Sequence, residues 1–201
     1  MNRQGIIYTV IFTFVASFFF VALLSLTNEF TRTKVDRNQV VVKRRAVLNA
    51  FGIETMGTDE DYTLYESRIK EREIEGYRIY DAQLTGEKAA AIEFSGSALW
   101  GTITGVLAVK EDLSRIIGMD IISQNETPGL GGRIDEAWFK EQFRNELIKN
   151  DQILVTGSGG GDKNKDNGKV DAITGASRTS QAVEQVVNQY LAILRKILGA
   201  K

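Results

Sequence analysis

An α+β fold behind one membrane-spanning helix is what this sequence predicts, on three observations. The run Gly5–Leu26 carries no charge and is dominated by Ile, Val, Phe and Leu. Between Tyr77 and Ile122, short runs rich in β-branched and apolar residues alternate with polar or glycine-containing connections. Residues Gln181–Leu198 repeat apolar side chains at helical spacing. Consecutive strands with short connections favour an antiparallel meander, and an amphipathic helix after them needs a sheet face on which to bury. The expected division is a tail at 1–4, a transmembrane helix at 5–27, a helical stalk at 28–75 and a sheet domain at 76–201.

What the composition lacks is more informative than what it holds. The chain has 201 residues, a net charge of −1, no Cys and no His. A near-neutral charge does not suit a bulk polyanion, so no nucleic acid partner is expected. Without Cys there are no disulfides, thiolate zinc sites or Cys-ligated iron–sulfur clusters. Without His, haem ligation and Ser–His catalysis are also lost. No catalytic residue and no metal site are expected, and redox chemistry would have to come through a borrowed cofactor.

About 20 apolar residues span a bilayer as a helix, and Gly5–Leu26 meets that length. A signal peptide has a shorter apolar region and a small-residue cleavage site, and Ser25-Leu26-Thr27-Asn28-Glu29 is a poor one. Six cations follow the span (Arg32, Lys34, Arg37, Lys43, Arg44, Arg45), against Arg3 and the amino terminus before it. The positive-inside rule would place the carboxyl-terminal side in the cytoplasm.

From Glu29 to Phe51 the pattern is helical, with Val40, Val47, Leu48 and Phe51 on one face, and Gly52 ends it. A polar turn at Gly57–Asp61 leads to a second helix through Tyr62, Tyr65 and Ile69, closed by Gly76. Strands are expected at Tyr77–Tyr80, Ala89–Phe94, Thr102–Val109 and Arg115–Ile122, with a turn at Leu84–Lys88. Asp135–Lys149 reads as a helix with Trp138, Phe139, Phe143 and Leu147 as its core stripe. A short strand at Ile153–Thr156 precedes the Gly-rich loop Gly157–Gly168, expected to be a mobile surface loop. Asp162, Asn164 and Asp166 in it resemble a calcium loop, but the glycine is one position late and the terminal Glu is missing.

Three stretches carry chemistry. The main one is Asp171-Ala-Ile-Thr174-Gly175-Ala176-Ser177-Arg-Thr179-Ser180, where a short strand pattern, Val170–Ile173, meets the last helix. Hydroxyls before a helix are commonly N-caps. A helix start also offers free N–H groups and a positive dipole end to a phosphate, and an alcohol held there can carry one covalently. The residue order resembles the flavinylation motif of the FMN-binding domain family. Its members are the subunits that carry FMN by a phosphoester bond in the Rnf (ferredoxin:NAD oxidoreductase) and sodium-pumping NADH:quinone oxidoreductase complexes. The resemblance implies attachment at Ser177, the hydroxyl residue directly after Gly-Ala. Thr is commoner there, and Ser is likewise an alcohol. Thr179 or Ser180 would still be free to cap the helix.

The second stretch is Asn125-Glu126-Thr127-Pro128-Gly129-Leu130-Gly131-Gly132. Pro-Gly alone is a turn signature, but Glu-Thr-Pro-Gly-Leu-Gly also recurs in that family beside the flavin. Its glycines would let the backbone approach a flat ring, with Leu130 as an apolar contact. Gln124-Asn125 stands where family members often carry His, which leaves Glu126 as the protonatable group. The third is Ser95-Gly-Ser97-Ala-Leu99-Trp100-Gly101. Either it packs at a strand edge, or Leu99 and Trp100 wall the flavin ring while Ser97 offers a hydrogen bond.

The resemblance covers roughly Ala89–Leu198 and the amino-terminal anchor. It implies a covalent FMN at Ser177 in a domain over 76–201, with Thr174, Gly175, Ala176, Thr179, Glu126, Thr127, Gly129, Leu130, Leu99, Trp100 and Ser97 around the cofactor. It implies a flavin transferase that recognises Asp171, Thr174, Gly175 and Thr179. It also implies an electron-transfer role among other membrane subunits, in a single-pass inner-membrane protein whose soluble domain lies on the extracytoplasmic side, against the charge rule. The length favours the Rnf branch and its G-type subunit, which is the expectation; the Leu-Trp turn leans toward the quinone reductase branch and its C-type subunit. An unflavinylated membrane-anchored scaffold or sensor is the alternative from another class.

Overall fold

The structure, a computed structural model, describes residues 3–55, 60–84, 86–157 and 159–199. Met1 and Asn2 of the expected tail, residues 57–59 of the polar turn, Thr85, Ser158 and the last two residues lie outside them. The chain divides into two compact units, Met1–Val41 and Val42–Lys201.

Helix α1 covers Arg3–Ala50. In the first unit its apolar side chains, Ile7, Phe12, Phe18 and Leu24 among them, are exposed. Among the described residues this is the one helix long and apolar enough to cross a membrane, with a mean hydropathy of 2.4 in its most apolar stretch. Thr9 donates its hydroxyl to Gly5 O, and Thr27 to Leu23 O, both at 2.9 Å. Back-bonding of that kind satisfies a hydroxyl within its own helix, as a bilayer requires.

In the second unit the end of α1 is buried at Ala46, Val47, Leu48 and Ala50. Val47, Leu48 and Phe51 share the face expected of them, whereas Val40 is exposed. The helix stops as Gly52 predicts: Gly52 N donates to Asn49 O and Ile53 N to Leu48 O, both at 2.9 Å, the bond pair of a Schellman turn.

Six strands form one antiparallel meander: β1 (Ile69–Ile74), β2 (Tyr77–Leu84), β3 (Glu87–Ser97), β4 (Thr102–Lys110), β5 (Arg115–Ser123) and β6 (Glu146–Leu147). Helix α2 (Glu60–Arg68) precedes them. Both sheet faces are covered. Tyr80, Ala89, Ala91, Val106 and Ala108 bury with the end of α1 and with Tyr65 of α2. Ile79, Ile92, Phe94, Leu107 and Val109 bury with helix α4 (Ser177–Leu198). This two-sided burial explains why β3 and β4 read as nearly continuous apolar runs rather than alternating ones. Each fully buried Ile or Leu here, such as Ile92 or Leu107, contributes about 1.5–3 kcal/mol. The apolar face of α4 buries Val183, Val186, Val187, Tyr190, Leu191 and Leu194, as its spacing predicts.

Two expected helices are corrected. The second helix does not run to Gly76: it ends at Arg68, and Ile69–Ile74 becomes edge strand β1, paired from Ile69↔Ala82 to Ile74↔Tyr77. Lys, Glu and Arg in that run favour a helix weakly, and pairing with β2 overrides them. Nor is Asp135–Lys149 a helix. It is a 3-10 turn at Gly131–Asp135, a short helix α3 (Ala137–Lys140), a 3-10 turn at Glu141–Phe143, and then β6. Phe139 and Phe143 are still core, so the spacing was satisfied by broken turns. Asn145 takes φ 56°, which stops propagation and lets Glu146 pair with Ile116.

Strands β7 (Leu154–Thr156) and β8 (Lys169–Asp171) form a separate parallel pair. The described part of the loop between them is laced by its own side chains. Asp162 Oδ1 accepts Asn164 N at 2.7 Å, Asn164 Oδ1 accepts Asp166 N at 3.1 Å, and Lys165 Nζ donates to Glu141 O and Gln142 O at 2.8 Å. Arg115 pairs with Asp166.

Candidate functional site

The three sequence stretches meet at the start of α4. Strand β8 delivers the chain to Thr174-Gly175, and Gly175 turns it with φ 79°, a conformation costly for any residue with a Cβ. The next residues split between outside and inside. Thr174 and Ser177 are exposed, and Ala176, Thr179 and Ser180 are buried. Helix α4 begins at Ser177 itself, four residues earlier than its apolar pattern suggests.

Among the described residues no hydroxyl caps this helix, which corrects the expectation for Thr179 and Ser180. The N-cap residue is Ala176, and it makes no side-chain capping bond. Ser180 Oγ instead accepts Ile173 N and donates to Ala176 O, both at 3.0 Å, clasping the turn from beneath. Thr179 donates to Glu126. The helix start therefore keeps the N–H groups that a cap would have satisfied, beside an exposed alcohol. A phosphate on Ser177 fits both the donors and the dipole.

Glu126 joins the other two stretches to this one. It is 5% exposed. Oε2 accepts the Thr179 hydroxyl, and Oε1 accepts Trp100 N at 2.8 Å. Its own N–H donates to Gln124 Oε1 at 2.7 Å. Glu126 was a candidate flavin contact; the structure turns its carboxylate inward, as a strut between the 97–101 turn and α4. Gly131 packs against this strut: a Cβ there would lie 2.7 Å from Glu126 Oε2. The Thr127 carbonyl closes the next turn by accepting Leu130 N at 3.1 Å and Gly132 N at 3.0 Å.

What remains outside is apolar. Beyond α1, four large apolar side chains are exposed among the described residues: Tyr62, Leu99, Trp100 and Leu130. Three of the four lie in the predicted stretches, at 50%, 70% and 45% exposure. Leu130 also approaches Gly175, where a Cβ would lie 3.3 Å from Leu130 Cδ2. An open cavity of 340 Å³ lies between Ser97 and Leu99 on one side and Arg178 and Gln181 of α4 on the other. Exposed apolar side chains beside a polar cavity and an uncapped helix start suit a flat ring carried on a phosphate.

Asp171 is half-buried, and its carboxylate accepts Gly161 N at 3.2 Å. Sequence reasoning missed the residue that holds it there. Gln142, 2% exposed, accepts Asp171 N and Asp162 N with Oε1, both at 2.7 Å, and donates to Asp171 O at 3.3 Å. Tyr190 was also missed as a support: its hydroxyl accepts Ser95 N at 3.1 Å and donates to Ser95 O at 3.2 Å, setting the strand that leads to Ser97. Only a polar residue beside the apolar Phe143 hinted at Gln142, and nothing local distinguished Tyr190 from an ordinary core aromatic.

Residues 98–192 match the family described as FMN-binding domain. The chain is 31% identical over 152 residues to the C-type subunit of the Na(+)-translocating NADH-quinone reductase of Neisseria meningitidis, covering 71% of this chain and 57% of that protein. It spans about half the length of the quinone reductase subunits that it matches. It is 27% identical over 190 residues to the G-type subunit of the Na(+)-translocating ferredoxin:NAD(+) oxidoreductase complex of Acetobacterium woodii, covering 92% of this chain and 89% of that protein. A crystal structure of the C-type quinone reductase subunit from Parabacteroides distasonis shares the fold, with a TM-score of 0.69 at 24% identity over 84% of this chain and 98% of that one.

Proposed function

Because residues 98–192 belong to the FMN-binding domain family, we propose that Ser177 carries FMN through a phosphoester bond, and that the chain is an electron-transfer subunit of a membrane-bound, ion-translocating oxidoreductase. The observation that carries this reading is the exposed Ser177 hydroxyl at a helix start without a side-chain cap. The uncapped N–H groups and the dipole would balance the phosphate charge. Leu99, Trp100 and Leu130 would cover part of the ring. Bound FMN would supply one- and two-electron redox chemistry to a chain whose own side chains offer none.

Of the two complexes, we favour the ferredoxin:NAD(+) oxidoreductase type. The similarity to its G-type subunit runs nearly end to end in both chains, whereas the quinone reductase relatives are longer. Leu99-Trp100 and the higher identity favour the quinone reductase type, which stays as the second reading. Other membrane subunits would be the electron donor and acceptor. A flavin transferase would act on the protruding Thr174-Gly175 turn, with Asp171 and Thr179 setting its shape from behind. The apolar helix would anchor the chain in the inner membrane, with the domain on the extracytoplasmic side. There, covalent attachment prevents loss of the cofactor.

The test is fluorescence of the denatured band after production with a flavin transferase. Fluorescence in the wild type that disappears in Ser177→Ala supports covalent FMN at this residue. A dark wild-type band overturns it and leaves an anchored scaffold. Cysteine labelling of Lys163→Cys in intact cells reads the side of the membrane.

A further inference from the structure

We propose that Arg178 sets the reduction potential of the flavin on Ser177, acting as a fixed positive charge in the wall of the cavity that receives the ring; this rests on the reading that Ser177 is flavinylated. Arg178, Gln181 and Gln185 line that cavity opposite Ser97 and Leu99. Spacings of three and four residues place them on one stripe of α4, and the stripe begins at the residue after Ser177. A ring tethered to Ser177 would have this polar stripe beside it.

The chemistry of the stripe matches one edge of the ring. The pyrimidine edge of an isoalloxazine presents carbonyl oxygens on either side of an N–H. Each glutamine amide both donates and accepts, so Gln181 and Gln185 answer either kind of group. Arg178 only donates and is always charged. Its charge is uncommitted: Arg72, Arg78, Arg115, Arg133, Arg144 and Arg195 all have carboxylate partners, and Arg178 has none among the described residues. Glu126, the acid of the neighbouring stretch, faces the interior with both oxygens engaged. Among the described residues that line the cavity, none is acidic.

A fixed cation favours whichever redox state is more negative. Uptake of two electrons and one proton, at N5, leaves the ring with one net negative charge along the pyrimidine edge. The electrons come from the donor subunit of the proposed complex and pass to its acceptor. Removing the charge of Arg178 therefore lowers the potential.

The experiment is a spectroelectrochemical titration of the full-length, flavin-loaded protein in detergent, read on the loaded fraction. Arg178→Gln should weaken the preference for the reduced ring about tenfold, a fall of ~30 mV for a two-electron couple. Arg178→Lys should restore most of that difference, and high salt should shrink the gap between wild type and Arg178→Gln. If Arg178→Gln accepts no flavin, Gln185→Glu, which puts a negative charge in the same wall, should lower the potential instead. Equal potentials in wild type, Arg178→Gln and Arg178→Lys overturn the proposal, as does an unchanged potential in Gln185→Glu. A wild-type chain without covalent flavin instead overturns the attachment on which the proposal rests.

Discussion

Thr179 and Glu126, 53 positions apart in sequence, meet inside the domain, where the threonine hydroxyl donates to the carboxylate. The other carboxylate oxygen holds Trp100 N. One buried acid thus fixes the distance between the helix that would carry the phosphate and the turn that would face the ring. A surface site gains its precision from a bond beneath it.

Glu126→Ala removes both acceptors at once. Trp100 N–H and the Thr179 hydroxyl lose their partner, and unpaired buried donors cost roughly 1–3 kcal/mol each. The expected loss of stability is roughly 2–4 kcal/mol, with a smaller loss for Glu126→Gln, which keeps one oxygen. Thermal unfolding of the solubilised protein measures it; an unchanged midpoint in Glu126→Ala would remove the strut from the account.

Gly131→Ala tests the same junction from the other side. The new methyl group would press on Glu126 Oε2 and Thr179 Oγ1. Overpacking of this kind costs roughly 1–3 kcal/mol. Gly160→Ala, where a Cβ meets nothing within 4 Å, is the matched control and should lie within about 0.5 kcal/mol of wild type.

Ser177→Thr should keep the covalent flavin, because the alcohol and its place at the helix start are retained. Its side chain is exposed, so stability should change by no more than about 0.5 kcal/mol. Intact-mass analysis of the peptide spanning 171–185 reads the outcome. Loss of the added mass in Ser177→Thr would show that the site discriminates between the two alcohols.

Glu146 gives a pH dependence. It is fully buried, Gly168 N donates to its Oε1 at 2.8 Å, and Oε2 has no partner among the described residues. Burial raises its pKa above the ordinary 4.5, against the pull of the Gly168 bond and the Lys165 charge. Below 4.5 the folded and unfolded chains both hold the proton. Above it the unfolded chain loses the proton first, so the folded chain binds more, and stability falls as pH rises toward the raised pKa. Glu146→Gln cannot ionise and should flatten that fall. Denaturant midpoints between pH 4 and pH 8 decide it, and parallel curves for the two proteins would exclude Glu146 as the cause.

The local signals in this chain were sufficient for much of the fold. Charge-free length marked the apolar helix, short connections marked the antiparallel order of β2 to β5, and helical spacing marked the buried face of α4. The composition of three short stretches marked the candidate site. Those features depend on neighbours in sequence, so they are legible there. Three others were not. Ile69–Ile74 has the composition of a helix and became a strand because β2 presented an edge to pair with. Gly131–Leu147 kept its aromatic spacing but broke into turns, because β5 also needed a partner. The directions of Ser177, Thr179 and Ser180, and the inward turn of Glu126, depend on what lies beneath the helix start.

By itself, then, the sequence determined which three stretches carry the hydroxyls, glycines and apolar side chains that meet at the mouth of the last helix. Only the tertiary structure decided which hydroxyls are left outside. Thr179 and Ser180 find acceptors and a donor in the interior, from Glu126, Ala176 and Ile173, and Ser177 points to solvent. A buried hydroxyl must be paired while an exposed one need not be, and which of the two a residue becomes is settled by groups far away along the chain.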